Sequence, residues 1–277
     1  MNEKTFKAKN CNLNYFHSDI GSKQNLFLIH GWMKGWEEWF DLISKYKGKY
    51  NIYAVDLPGH NKSGKLEDYN IENYFEPISE FLQFINNDLI LVGHSLGASL
   101  SFLLAYKYKF VTKIVLEDPP WYSENRGEIL KNINKDELID SQLKKYESMR
   151  NFFLSNKDEW RTSIDAFRSI KEYYADAYQL NPEGVIMRSI WAFHHDKNIW
   201  NVSDDWVWQD AINISKNVKT KTLIIGGNIE KGAVLNKEIA REVKKNINDC
   251  QLKYIDSGHN IRLEKPQEYY KVLESFI

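Results

Sequence analysis

A serine flanked by glycines stands where a compact apolar run ends and a helical pattern begins. Residues 93–97 read GHSLG, the run at 88–92 reads DLILV, and leucines then recur at helical spacing at positions 96, 100, 103 and 104. Glycines tolerate strained backbone angles and let neighbouring backbone approach closely. A serine placed in this way is held out at the carboxyl edge of a sheet. The pattern is typical of a nucleophile elbow in which Ser95 is the nucleophile.

The composition is that of an ordinary globular chain, either one large domain or a domain that carries a sizeable insertion. The 277 residues include 37 basic and 38 acidic side chains, which gives a net charge of −1. No global electrostatic field therefore favours nucleic acid or an anionic membrane as a partner. The two cysteines, Cys11 and Cys250, are too few for a disulfide framework and do not have the spacing of metal ligands. We expect no metal site.

No targeting segment or membrane span is recognisable in the sequence. The stretch MNEKTFKAKNCNLNYF at the start lacks the apolar core of a signal peptide. No run approaches the ~18 consecutive apolar residues that a membrane span requires. These features predict a cytoplasmic, reduced protein.

Apolar runs alternate with helical patterns in the first part of the chain and again near its end. Strand-like runs stand at 25–29, 51–55, 88–92, 111–116, 221–225 and 251–255. Helical spacing appears between Asp68 and Asn87, from about Asn236, and from Pro266 to the end. Pro77 is expected to kink the first of these helices or to divide it. The alternation predicts an α/β fold, with a mostly parallel central sheet covered by helices on both faces.

The pattern changes between about Trp121 and Val218, where several charged and aromatic-rich helices are expected and strand-like runs are missing. Six of the nine tryptophans lie in this stretch, at positions 121, 160, 191, 200, 206 and 208. One interpretation is an all-helical insertion with an aromatic core. The other is a lid that lines an apolar pocket over Ser95, and both can hold together. We divide the chain into a core of 1–118 and 216–277 and a helical cap of 119–215. Trp121 and at least one of Trp191 and Phe193 are expected to face the pocket.

A serine hydroxyl is a poor nucleophile unless a base takes its proton, so the elbow predicts a catalytic histidine. Seven histidines occur, at positions 17, 30, 60, 94, 194, 195 and 259. His259 directly follows the last predicted strand, which places it at the same sheet edge as the elbow. Serine before histidine is also the chain order that accompanies this kind of elbow. We therefore predict that His259 is the general base.

These segments together resemble the α/β-hydrolase family, in the esterase-like branch that carries a helical cap. The matching pieces are HGW at 30–32, DLPGH at 56–60, GHSLGAS at 93–99, LEDPPW at 116–121, LIIGG at 223–227 and SGHNIRLEKPQEY at 257–269. Asn61 departs from the family, because glycine normally follows DLPGH. The resemblance implies that His60 is a loop residue, that His30 buttresses the turn after the first of these strands, and that His94 flanks the nucleophile without moving its proton.

The same resemblance implies an oxyanion hole made by the backbone N–H groups of Trp32 and Leu96. Gly31 fits this arrangement because it permits close approach of the backbone. The side chains of Trp32, Trp36 and Trp39 are candidates for the walls of the acyl pocket. Packing of a helix start is an equal alternative for Trp36 and Trp39.

The carboxylate that orients His259 has two main candidates. In the common register of the family it comes three positions after the strand that ends in glycine, and this position is Glu230. In haloalkane dehalogenases and some relatives the acid follows the preceding strand, which selects Asp118 or, less plausibly, Glu117. We favour Glu230 over Asp118. For each of them the alternative role is a loop carboxylate or an anchor for the cap.

The function implied by the resemblance is a serine hydrolase that forms an acyl-enzyme with a small or medium apolar ester, lactone or thioester. Neither a metal nor an organic cofactor is implied, and the small-molecule substrate is the expected partner. Dehalogenases and epoxide hydrolases of this fold need a carboxylate nucleophile, so Ser95 argues against those branches. The alternatives are C–C bond hydrolase, peptidase or haloperoxidase chemistry on the same scaffold, and a ligand-sensing receptor that uses the capped pocket for signalling.

Overall fold

An eight-stranded, mostly parallel sheet organises the chain. The computed structural model describes residues 2–121, 147–175, 181–202 and 209–277. The strands are β1 (Glu3–Lys7), β2 (Asn12–Ser18), β3 (Asn25–Ile29), β4 (Asn51–Val55), β5 (Leu89–His94), β6 (Val111–Glu117), β7 (Lys221–Gly226) and β8 (Cys250–Tyr254). Their spatial order is β1-β2-β4-β3-β5-β6-β7-β8. β2 pairs antiparallel with β1 and β4, and the pairs from β4 through β8 are parallel. The predicted fold class is confirmed.

Helices connect most of the parallel strands. They are α1 (Phe40–Tyr46), α2 (Ile71–Ile85), α3 (Leu96–Lys107), α4 (147–156), α5 (Ser163–Tyr173), α6 (Pro182–His194), α7 (Ala211–Ser215), α8 (Lys237–Asn246), α9 (Ile261–Glu264) and α10 (Pro266–Glu274). Short 3₁₀ turns cover Trp36–Trp39, Lys197–Trp200 and Ile229–Lys231. Pro77 does not divide α2, which runs as one helix from the Asn70 cap to Asn86, a residue with a left-handed φ of 37°.

The two faces of the sheet carry two separate apolar layers. Along β3, Phe27 and Ile29 face the layer that includes α2, α3 and α8, whereas Leu26 and Leu28 face the layer of α1 and α10. Successive side chains of a strand point to opposite faces, so a strand covered on both sides is apolar at every position. All five residues of β3 are buried. This burial explains why the strand stands out in the sequence as a continuous apolar run.

The two N-terminal strands are absent from the prediction. β1 pairs only with β2, at the edge of the sheet, and its residues are exposed or partly exposed. β2 is buried at three consecutive positions, so its sequence shows no alternation. Neither strand therefore has the periodicity that identifies strands from sequence.

Within the described residues, the segment between β6 and β7 is helical and packs on the carboxyl edge of the sheet. The Asp196 N–H donates to the Gly59 carbonyl oxygen at 2.7 Å, and the Tyr69 hydroxyl donates to Asp196 Oδ2 at 2.9 Å. Trp191 Nε1 donates to Glu37 Oε2 at 3.0 Å. Gly59 and Glu37 lie in the loops after β4 and β3, which leave the sheet at this edge.

Part of the predicted cap lies outside the described residues, including Trp206 and Trp208. The boundaries at 119 and 215 stay predictions. Among the residues that the structure describes, no helix is both long and apolar enough to cross a bilayer. The same residues contain no group of three or more histidine, cysteine or acidic side chains arranged to hold a metal ion.

Candidate active site

Ser95 occupies a strained turn directly between β5 and α3. Its φ of 53° and ψ of −117° lie outside the regions that L-residues ordinarily adopt. The Ser95 N–H donates to the Glu117 carbonyl oxygen at 2.9 Å, which ties the turn to the end of β6. Ser95 is partly exposed, whereas His94 and Leu96 on either side of it are buried. Strain that the surrounding structure maintains in this way is typical of a functional site.

The two glycines of GHSLG are required by close backbone contacts. A Cβ atom at Gly93 would lie 2.2 Å from the Gly97 oxygen, and one at Gly97 would lie 2.0 Å from the Ile29 oxygen. Both distances are far below van der Waals contact. Any side chain at either position would therefore displace the first turn of α3 from β5 or β3.

A histidine and an aspartate meet beside this elbow. His259 Nδ1 lies 2.6 Å from Asp118 Oδ2. The Asp118 side chain is fully buried, and that of His259 is 27 % exposed. Because the carboxylate oxygen accepts, Nδ1 carries the proton of the neutral ring, which leaves Nε2 able to take one from a hydroxyl. The His94 ring, one residue before Ser95, has its centroid 4.7 Å from that of His259, so the histidine stands next to the elbow.

Backbone amides of the loop after β7 hold the Asp118 carboxylate. Oδ1 accepts from the N–H groups of Gly227 at 3.3 Å and Leu235 at 3.2 Å, and Oδ2 accepts from Val234 N–H at 2.8 Å. Asp118 itself has a left-handed φ of 47°, and its own N–H donates to the Ile225 oxygen at 2.8 Å. Several donors on one buried carboxylate fix its orientation.

Glu230, the favoured candidate from the sequence, is not at His259 Nδ1. It lies in the exposed 3₁₀ turn Ile229–Lys231, where its N–H donates to Asn228 Oδ1 at 3.0 Å. The Asn228 side chain starts this turn, and the turn exposes residue 230 to solvent while the amides on either side of it reach Asp118. Glu117 is directed elsewhere, because its Oε1 accepts the Arg262 N–H at 2.9 Å. The geometry therefore favours Asp118, the second candidate.

The environment of His259 keeps its imidazole neutral at neutral pH. Burial lowers the pKa of His259, and the hydrogen bond to Asp118 opposes this effect. His94 and Lys34 lower the pKa further, because positive charge on either one disfavours the imidazolium. A neutral imidazole is the form that can accept a proton from a serine hydroxyl.

The expected oxyanion donors belong to two turns that lie against each other. A Cβ atom at Gly31 would lie 2.6 Å from His94 Nδ1 and 3.3 Å from Ser95 Cβ, so the HGW turn touches the elbow. Trp32 follows Gly31 directly. Leu96 is the first residue of α3, a position whose N–H has no carbonyl partner within an α-helix. Both positions suit amide donors for an oxyanion, and their role stays a prediction.

His30 and His60 are buried loop histidines, in keeping with the resemblance. The Leu57 N–H donates to His30 Nε2 at 2.9 Å, so His30 Nδ1 carries the proton and donates to the Gly31 oxygen at 2.7 Å. Burial lowers the pKa of His30 to about 4 and that of His60 to about 3. Both rings stay neutral and fix loops at the edge of the sheet.

Two of the tryptophans expected at the pocket are packing residues. Trp36 is 1 % exposed, belongs to the layer of α1 and α10, and stacks on Phe16 with ring centroids 4.9 Å apart. Its ring packs on the face of the sheet that carries α1 and α10, and whether it also lines a pocket stays a prediction. Trp121 is fully buried against Phe102 of α3, with ring centroids 4.9 Å apart.

The other two expected pocket residues lie where the helical segment meets the core. Trp191 is mostly buried, at 9 % exposure, and donates to Glu37 as described above. Phe193 is partly buried beneath the ammonium group of Lys157, which lies 5.3 Å from its ring centroid. Whether either ring contacts a substrate stays a prediction.

Sequence reasoning missed the aromatic contact between the HGW turn and the helical segment. The rings of Trp32 and Trp200 have centroids 4.3 Å apart, and Trp200 stacks on Phe153 at 4.8 Å with an interplanar angle of 13°. Trp32 is partly exposed, whereas Trp200 and Phe153 are fully buried and pack behind the expected oxyanion turn. The aromatic density of the segment was visible in the sequence, but no spacing singled out Trp200 or Phe153.

The comparisons with known proteins agree with this architecture. The profile of the alpha/beta hydrolase family matches residues 26–272, and the chain belongs to that family. It is 33 % identical over 120 residues to the probable lysophospholipase BODYGUARD 1 of Arabidopsis thaliana, which covers 40 % of this chain and 26 % of that protein. It is 23 % identical over 175 residues to epoxide hydrolase 4 of Mus musculus, which covers 61 % of this chain and 47 % of that protein. The matches thus span less than half the length of these relatives.

Among solved structures, the fold is similar to that of carboxylesterase CesB from Bacillus subtilis. The TM-score is 0.71 at 18 % sequence identity, and the match covers 100 % of this chain and 92 % of that one. A likeness at this identity shows a shared fold over the whole chain.

Proposed function

We propose that this chain is a serine hydrolase that forms an acyl-enzyme with a small or medium apolar ester, lactone or thioester. The observation that carries the proposal is the 2.6 Å contact between Asp118 and His259 beside the strained Ser95. A nucleophile, a base and an orienting carboxylate at one sheet edge are the arrangement of acyl-transfer triads. The fold shared with a carboxylesterase supports this reaction class.

In the proposed reaction, Ser95 Oγ attacks the acyl carbon while His259 Nε2 takes its proton. Asp118 keeps the proton of the neutral ring on Nδ1 and stabilises the imidazolium that forms. The amides of Leu96 and Trp32 stabilise the developing oxyanion. His259 then gives the proton to the leaving group, and a water molecule hydrolyses the acyl-enzyme by the same steps. The reaction requires no metal or organic cofactor.

The partly exposed ring of Trp32, which packs on the fully buried Trp200, supports an apolar acyl or alcohol group in the substrate. The epoxide hydrolase relative does not change the proposed reaction class, because Ser95 stands where that chemistry needs a carboxylate nucleophile. Sensing of a ligand by the same site is the competing proposal. Slow, single-turnover reaction with a ligand, with a partner protein retained, would favour sensing, whereas repeated turnover would favour the hydrolase.

The test is labelling with a fluorophosphonate probe, together with turnover of aryl esters of increasing acyl length. Wild-type protein should be labelled once, and Ser95→Ala should abolish labelling and lower turnover by roughly 10⁴-fold or more. Ser275→Ala is the matched control, because this exposed serine lies near the C-terminus, where its hydroxyl bonds the Val272 oxygen. Labelling that survives Ser95→Ala would exclude Ser95 as the nucleophile.

A further inference from the structure

A buried ion pair lies beside the elbow, and the proposed triad chemistry does not use it. Lys34 and Glu38 stand four residues apart after the HGW turn, and Lys34 Nζ bonds Glu38 Oε1. Their side chains are 12 % and 2 % exposed. Burial alone would raise the pKa of Glu38, but Lys34, His94 and Arg262 hold it well below the ordinary value, so the carboxylate is charged. A charge buried to this extent is costly unless it is paired and hydrogen-bonded.

The Glu38 carboxylate reaches the expected oxyanion turn with one oxygen and the elbow with the other. Oε2 accepts the Gly31 N–H at 3.1 Å, and Gly31 directly precedes Trp32, whose amide is a proposed oxyanion donor. Oε1 lies 3.1 Å from Nδ1 of His94, the residue before Ser95. One rigid, buried group is thus bonded to the backbone on one side of the reacting centre and faces the residue next to the nucleophile on the other.

The same pair reaches the loop that carries the base. Lys34 Nζ donates to Asn260 Oδ1 at 2.7 Å, and Asn260 directly follows His259. His94 Nε2 donates to the backbone oxygen of His259 at 3.0 Å. His94 Nδ1 lies 3.3 Å from Lys34 Nζ, so both members of the ion pair contact the ring that supports the base. Asp118 fixes the His259 ring, whereas this cluster fixes its backbone.

We propose that Glu38, held by Lys34, is a positioning residue that sets the distance between the oxyanion turn and the general base. The proposal rests on the proposed function, because it assigns Glu38 a role in the same reaction. The physical reason is that catalysis depends on placement, and a shift of about 1 Å can cost on the order of 100-fold in rate. An ion pair with only a structural role would affect stability without this dependence.

The pH dependence of the labelling rate separates a positioning role of the ion pair from a purely structural role. The charged and titratable groups that act on His259 are Asp118, His94 and Lys34. Lys34→Met removes a positive charge and should raise the pKa of His259, which moves the acid limb of the rate to higher pH. Glu38→Gln removes a negative charge from the same cluster and should move the acid limb to lower pH. Simple loosening of the fold would not shift the two limbs in opposite directions.

The experiment measures the second-order rate of fluorophosphonate labelling from about pH 5 to pH 9, where the acid limb reports the free enzyme's base. We expect Glu38→Gln to lower the plateau rate by roughly 10- to 100-fold, Lys34→Met to lower it less, and the acid limbs to shift as stated. The double variant should lose less than the product of the single losses, because both substitutions break one pair. Lys45→Met is the matched control, because it breaks an exposed ion pair with Glu274 at 2.6 Å.

Thermal unfolding of each variant is measured in parallel. A Glu38→Gln plateau within about twofold of wild type, or acid limbs that shift in the same direction, would overturn the proposal. If Glu38→Gln does not fold, Lys34→Met decides, since Lys34 is the less buried member of the pair and the acid limb of this variant must still shift to higher pH. Absence of labelling in the wild type, or labelling of Ser95→Ala, would overturn the proposed function as well. Intact labelling of Ser95 with an unchanged Glu38→Gln would overturn only the positioning role.

Discussion

The loops that follow β6 and β7 leave neighbouring strands at the same edge of the sheet, but the first buries its carboxylate and the second exposes it to solvent. Asp118 after β6 is fully buried and bonds His259 and three backbone N–H groups. Glu230 after β7 is exposed on a 3₁₀ turn. Both are acidic residues within five positions of a strand end. Location at the edge is therefore not sufficient to place a carboxylate against His259.

The difference lies in which loop provides the charge and which provides the donors. The β7 loop contributes the amides of Gly227, Val234 and Leu235, and these hold the carboxylate that comes from the β6 loop. A buried carboxylate needs hydrogen-bond donors, and backbone amides supply them at fixed positions. The two loops thus form one unit that buries Asp118 and leaves Glu230 exposed to solvent.

The largest effect in this comparison is expected for Asp118→Asn. The substitution keeps the size of the side chain but removes the charge that fixes the Nδ1 proton and stabilises the imidazolium. We expect turnover of an aryl ester to fall by about 10³- to 10⁴-fold with little change in KM. Steady-state kinetics with a circular dichroism check of the fold measures this effect. Near-wild-type turnover of Asp118→Asn would remove Asp118 from the triad.

An effect of intermediate size is expected on kcat/KM when the pH is lowered. Because burial lowers the pKa of His259, the acid limb of kcat/KM should have its midpoint below the ordinary histidine value of 6.5. The base must be unprotonated, so the rate should fall about tenfold for each pH unit below that midpoint. In Asp118→Asn the hydrogen bond that raises the pKa is weakened, and the limb should move still lower. A midpoint above 6.5 in the wild type would contradict this account of the site.

The smallest effect is expected for Glu230→Gln. The side chain is exposed, and its substitution leaves the amides that hold Asp118 in place. Turnover should stay within about twofold of wild type under the conditions used for Asp118→Asn, for which this variant is the matched control. If Glu230→Gln reduces turnover more than Asp118→Asn does, the common family register holds and the comparison between the loops is reversed.

The parts of the fold that could be predicted are those in which burial imposes a local pattern. β3 is buried at every position and appears in the sequence as a continuous apolar run, whereas the partly exposed β1 shows no such run. The turn at Ser95 could be predicted equally well from the sequence, because the contacts at Gly93 and Gly97 exclude any side chain and so require glycine at both positions of the motif. The apolar run lies in β3 itself, and the two glycines lie within two residues of Ser95.

The acid and the pocket depend on contacts that are distant in sequence. The conformation of the β7 loop rests on the Asn228 N–H, which donates to the Ser257 oxygen at 2.7 Å in the loop that carries His259. No local pattern around Glu230 contains this information. The same holds for Trp36, because the direction of its 3₁₀ turn decides which face of the sheet its ring covers. The ion pair of Lys34 and Glu38 was missed because two of its partners, His94 and Asn260, are distant from it in sequence.

The hydrogen bonds of Asp118 also have a consequence for the helical segment between β6 and β7. The helical segment leaves the sheet after β6 and returns at β7, its immediate neighbour. Asp118 bonds Ile225, Gly227, Val234 and Leu235, so the end of β6, where the segment leaves the sheet, is hydrogen-bonded to β7 and the loop after it. A change in the length of the helical segment would therefore leave these hydrogen bonds, and the orientation of Asp118, in place.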